Sequence, residues 1–140
     1  MRTHNPALSP LQGLIGTWDV QVGDSQWQES FEWLENAFIA WRSEKVGDFP
    51  QATCIIGRNE NQAPGTYVVL YADDRGVSRI YNMTFQDGVL TLLREDPDFF
   101  QRFEGKLDSG GNTIAGRWET ATDGSDWKRD FDILYRRRRP

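Results

Sequence analysis

Leu14-Ile15-Gly16-Thr17-Trp18-Asp19-Val20-Gln21-Val22 is the stretch whose reading decides the fold. Trp18, Val20 and Val22 alternate with Thr17, Asp19 and Gln21, the two-residue period of a strand with one buried face. Gly16, two positions before Trp18, lets the backbone pass close under a large ring at the closed end of a barrel. Gly23-Asp24-Ser25 then turns the chain.

Strand-like runs continue from there with no long helical pattern between them. The second, 27–35, carries Trp27, Glu29, Phe31, Trp33 and Glu35 on one face. The third, 38–46, sets Phe38, Ala40, Arg42 and Glu44 against Ile39, Trp41, Ser43 and Lys45, which leaves its inward face open. Gly47-Asp48-Phe49-Pro50 breaks the pattern before a short run at 52–57. A fifth run, 66–72, reads as buried on both sides, and the sixth spans 77–85. Asp87-Gly88 is a strong hairpin signal, since glycine supplies the positive φ the turn requires, and it leads into 89–94. Further runs follow at 99–107, 113–120 and 126–136. In the last, Trp127, Arg129, Phe131, Ile133 and Tyr135 share what reads as the inner face. Ten strands with hairpin-length links predict an all-β fold, an antiparallel up-and-down barrel. Residues 1–13 are a flexible leader or short lid, 14–136 the single barrel domain and 137–140 a basic tail.

At 140 residues the chain has the length of one domain that can bury a sizeable core. Its 6 Trp, 4 Tyr and 8 Phe favour strands and a ring-lined interior. The net charge of −5 conceals a C-terminal run, Arg136 to Arg139, that holds four of the 16 basic residues. The body is therefore strongly acidic, which argues against a nucleic-acid-binding surface. Cys54 is the only cysteine, so no internal disulfide and no zinc-binding thiolate cluster can form. Neither an apolar leader nor a membrane-length apolar run is present, and the expectation is a cytoplasmic protein that avoids membranes.

Gly16-Thr17-Trp18, Tyr67-Val68-Val69-Leu70-Tyr71 with Arg75-Gly76-Val77-Ser78-Arg79, and Gly116-Arg117-Trp118-Glu119 with Asp130-Phe131-Asp132 carry a resemblance over nearly the whole chain. The sequence resembles the calycin group, the lipocalins and fatty-acid-binding proteins, and more closely the bacterial lipocalin-like domains of unknown function (DUF1579-like). The resemblance implies a lipocalin or fatty-acid-binding-protein type of barrel. It also implies a basic residue near the last strand, Arg136 or Arg137, stacked on Trp18. The ten-stranded nitrobindin type is similar too and holds haem through a histidine. The one histidine here is His4, in the leader, so no haem and no other cofactor is expected.

A chain body without histidine lacks the commonest general base and every Ser–His or Cys–His nucleophile arrangement. Cys54 reads as a small core residue, and Asp73-Asp74 and Asp96 with Asp98 as turn residues without metal-ligand spacing. No metal ligand and no catalytic residue is assigned. The informative feature is charge on ring-bearing faces, because an unpaired buried charge must find a partner or a polar ligand. One reading is internal Arg–Glu pairs and solvated rims. The other is a pocket whose walls are Phe31, Trp33, Trp41, Tyr71, Tyr81 and Trp118, with Arg94 and Arg129 as polar anchors. Such a pocket would bind a small hydrophobic or amphipathic molecule, for example a carboxylate held by an arginine fork. The alternatives are an isomerase or cyclase with Glu29 or Glu119 as base, and a filled structural barrel that forms a homodimer.

Overall fold

The structure, a computed structural model, describes residues 3–60 and 62–138. Ten antiparallel strands follow one another: β1 (Gly16–Val22), β2 (Ser25–Leu34), β3 (Phe38–Ser43), β4 (Ala52–Arg58) and β5 (Thr66–Asp73). The second half comprises β6 (Ser78–Gln86), β7 (Val89–Arg94), β8 (Phe100–Leu107), β9 (Thr113–Ala121) and β10 (Lys128–Arg137). Each strand pairs with its neighbours in sequence, and β1 pairs with β10 to close an up-and-down barrel. Arg139 and Pro140, half of the expected basic tail, lie outside the described residues.

Closure follows from the opening stretch. Gly16 has φ +136°, and a Cβ there would lie 2.8 Å from the guanidinium of Arg137. That guanidinium stacks 4.3 Å over the Trp18 ring, and its Nη1 donates to the Ile15 carbonyl at 2.7 Å. Arg137, not Arg136, is thus the basic residue over the tryptophan, and it belongs to β10. Trp18 Nε1 donates to the Leu14 carbonyl at 2.9 Å. Residues 6–14 form a 3₁₀ helix begun by Pro6 and capped by the Asn5 side chain, which accepts from the Ala7 N–H. Leu8, Leu11 and Leu14 on this helix are fully buried and plug the lower end of the barrel.

Strand parity settles the faces left open by sequence. On β3, Ile39, Trp41 and Ser43 turn inward, and Arg42 pairs outside with Glu32. On β7 the inner residues are Leu90 and Leu92, and on β9 they are Ile114, Gly116 and Trp118. β5 is not buried on both sides: Tyr67 and Val69 are inside, but Leu70 is 49 % exposed. Leu70 is paired with Ile55 and with Ile80, so an apolar row crosses the outer wall.

The lower half of the lumen is solid. Phe103 lies directly across Gly105 and Gly116, which face each other on β8 and β9. A Cβ at Gly116 would come within 2.5 Å of the Phe103 ring and 3.1 Å of the Glu104 carbonyl oxygen. Gly116→Ala is therefore an overpacking change, expected to cost about 2 kcal/mol in urea denaturation. An unchanged midpoint would contradict this packing.

Candidate functional site

Above that plug the barrel is hollow. A cavity of about 260 Å³ opens at the end formed by the β3–β4 and β5–β6 connections. Its walls are rings: Trp27, Trp41, Tyr71, Tyr81, Trp118 and Phe131. The rings hold one another in place. Phe31 stacks on Trp41 at 4.8 Å, Trp118 meets Tyr81 edge-on at 6.0 Å, and Phe49 stacks on Trp27 at 4.7 Å. Phe49 reaches the cavity from the β3–β4 loop, which is tied by paired backbone bonds between Val46 and Phe49.

The polar groups of the cavity are ordered by depth. Deep in the wall, Glu29 is only 7 % exposed. Its two carboxyl oxygens accept from Trp27 Nε1 and Trp41 Nε1, each at 2.7 Å, and the Tyr135 hydroxyl also donates to it. Burial raises its pKa despite these donors, since desolvation penalises the charged form. Neighbouring Cys54 is pushed up to about 12 by burial and by the Glu29 charge, which disfavours its thiolate.

Cations stand at the rim. Arg75 is committed to Asp73, whose carboxyl it holds well below the usual carboxylate range. Tyr71 donates its hydroxyl to the same Asp73 at 2.7 Å. Arg79 differs. Its guanidinium sits 5.2 Å over the Phe99 ring and 6.0 Å over the Tyr71 ring, and it hydrogen-bonds to Tyr81. Among the described residues no carboxylate lies within ion-pair distance of it.

Of the eight residues expected at the pocket, Trp41, Tyr71, Tyr81 and Trp118 line the cavity together. Phe31 lies beneath it in the core. Trp33 lies lower still, stacked on His4 at 4.1 Å and bonded to Gln12, outside the cavity. Arg94 is drawn to the β7–β8 connection by the Phe99 carbonyl at 2.5 Å and Asp96 at 3.2 Å. Arg129 is on the outer surface, its side chain 58 % exposed and 3.5 Å from Asp132. The reason is a bulge: Arg129 pairs with Glu119 and Phe131 with Trp118, leaving Asp130 as an extra residue. Upstream of it the parity flips, which also sends Trp127 outside, where Arg102 stacks over it at 4.2 Å. Glu119 is likewise outside, bonded to Arg102 and held below its ordinary pKa, so Glu29 is the sole cavity carboxylate of the two candidate bases.

The residues missed include the rings Trp27, Phe49 and Phe131 and the polar Arg79 and Gln101, of which Phe49, Arg79 and Gln101 lie at the open end. Arg79 was visible on the face of Tyr81 and Met83, whereas Phe49 sits in a loop with no periodicity to reveal it.

These features define a closed ten-stranded up-and-down barrel with an interior cavity. No protein-family model matches the chain, and no curated protein matches it. Among solved structures it is similar to Rv2717c from M. tuberculosis, with a TM-score of 0.68 and 17 % identity over 97 % of this chain and 99 % of that one. At that identity the likeness is one of fold.

The raised Glu29 pKa has a consequence for stability. Between the ordinary carboxylate value and the folded one, the folded state keeps a proton that the unfolded chain has lost. The stabilisation is full below the ordinary value and disappears as pH rises through the folded one. Denaturation from about pH 4 to 8 should therefore show the wild type losing stability relative to Glu29→Gln as pH rises. Parallel profiles would contradict the burial of an uncompensated carboxyl.

Proposed function

We propose that this protein binds, without transforming it, a small amphipathic acid: a ring or short hydrocarbon body in the cavity and a carboxylate at the rim. The observation that carries this reading is Arg79, a guanidinium with no carboxylate partner among the described residues, held over the mouth of a ring-walled cavity. Rings supply contact area, and an arginine fork fixes the orientation of a carboxylate. A volume of about 260 Å³ lies at the small end of ligand pockets, which suits one ring system or a short chain. The anchor is thus Arg79 in place of Arg94 and Arg129. The sequence blocks at Gly16, Tyr67 and Gly116 support grouping the chain with the bacterial lipocalin-like domains of unknown function.

A proton-transfer reading attaches to Glu29 alone, the cavity carboxyl with a raised pKa. Chemical change of a bound molecule by the wild type, absent in Glu29→Gln, would move the protein to that class.

The test of binding is calorimetric titration with 3-phenylpropanoate and 3-phenylpropanol. Arg79→Gln is expected to weaken the acid by about ten- to a hundredfold and to leave the alcohol unchanged. Equal losses for both, or none for the acid, would remove Arg79 as the anchor.

A further inference from the structure

The hydrogen-bonding inventory of the cavity is lopsided. Deep in the wall, the indole N–H groups of Trp27 and Trp41 and the hydroxyl of Tyr135 are all spent on Glu29. The Tyr81 hydroxyl donates to Gln101 Oε1 at 2.6 Å, and that of Tyr71 to Asp73. What remains inside once Glu29 is ionised is acceptor capacity, a lone-pair position on its carboxylate, since a carboxylate has about four and three are used. Cys54 adds only a weak S–H donor. The other donors, Arg75, Arg79, the Gln101 amide and the Ser43 hydroxyl, belong to the ends of strands or to the turn at the mouth. A ligand group that reaches the inner wall beside ionised Glu29 is therefore recognised by donating. If it is also positive, it supplies the cation that Glu29 lacks, between ring faces that themselves attract cations.

Resting on the binding reading above, we propose that the ligand carries two polar ends: an acid outward at Arg79, and a protonated amine inward at Glu29 between Trp27 and Trp41. The aromatic or aliphatic body lies between them. The ammonium takes the place of a proton on the carboxyl. Where Glu29 starts protonated, the balance is a neutral carboxyl plus ammonium giving a carboxylate–ammonium pair and one proton released to solvent. The charged and titratable groups facing that pair are Cys54 and Tyr135, both kept neutral by burial.

Two probes of nearly the same shape test this by calorimetry on the intact protein: 3-(4-ethylphenyl)propanoate and 3-(4-aminomethylphenyl)propanoate. The amine is expected to bind at least about tenfold more tightly to the wild type. At a pH where Glu29 starts protonated, proton release, read from the dependence of the heat on buffer ionisation enthalpy, should accompany the amine and not the ethyl compound. In Glu29→Gln the preference should vanish while Arg79→Gln weakens both probes alike. If Glu29→Gln does not fold, the wild-type comparison and its proton release decide by themselves. Tighter or equal binding of the ethyl compound overturns this proposal and leaves the acid-binding reading standing. Failure of both probes to bind overturns both.

Discussion

The pairing of β1 with β10 is the constraint on which the rest of the molecule depends. An open ten-stranded meander would expose two edges and an apolar face, whereas closure leaves no edge and gives the rings an inside. The seam is built from a few residues at the lower end. Gly16 admits the guanidinium of Arg137, which covers Trp18 and ties down the carbonyls of Ile15 and Gly13. The same contact anchors the N-terminal helix whose leucines fill the lower end. The same residues close and plug the barrel, and the cavity lies above them.

What occupies the upper half is governed by the cost of polar burial. Glu29 is retained inside because two indoles and a phenol donate to it, and in return it fixes the two tryptophan rings that wall the cavity. Removing the carboxyl would orphan two buried indole N–H groups at once, so the group that makes the cavity chemically distinctive also keeps its walls in position. Among the described residues no cation lies within ion-pair distance of it. At the rim the situation is reversed: Arg79 is stacked on rings, with no carboxylate among the described residues in ion-pair distance. A site with an unmatched acid inside and an unmatched base outside is polarised along its depth, and that polarity orders the proposed ligand.

Much of the architecture is legible in the sequence because it is written in local periodicity. β7 begins and ends at the residues expected, Val89 and Arg94, because Asp87-Gly88 adopts the positive φ values of a tight hairpin and fixes the register. The site is less legible, for two physical reasons. Alternation states which face a residue occupies but not how far along the barrel it lies. Trp27, Glu29, Phe31 and Trp33 share a face, yet the first two line the cavity, Phe31 fills the core and Trp33 packs on the leader. The second reason is the bulge at Asp130. One extra residue reverses the faces before it, and nothing in the run from Trp127 to Tyr135 signals where the reversal occurs. The bulge leaves Arg129 on the outer surface, and the proposed anchor is Arg79 instead.

The most direct test of the central idea, that the hollow upper half exists to hold a small polarised molecule, is native mass spectrometry of the protein purified from its own host. The account predicts one small molecule per barrel, sized for a cavity of about 260 Å³, bearing an acidic group and released on unfolding. A barrel that emerges bare and takes nothing up from an extract of the same cells would contradict it.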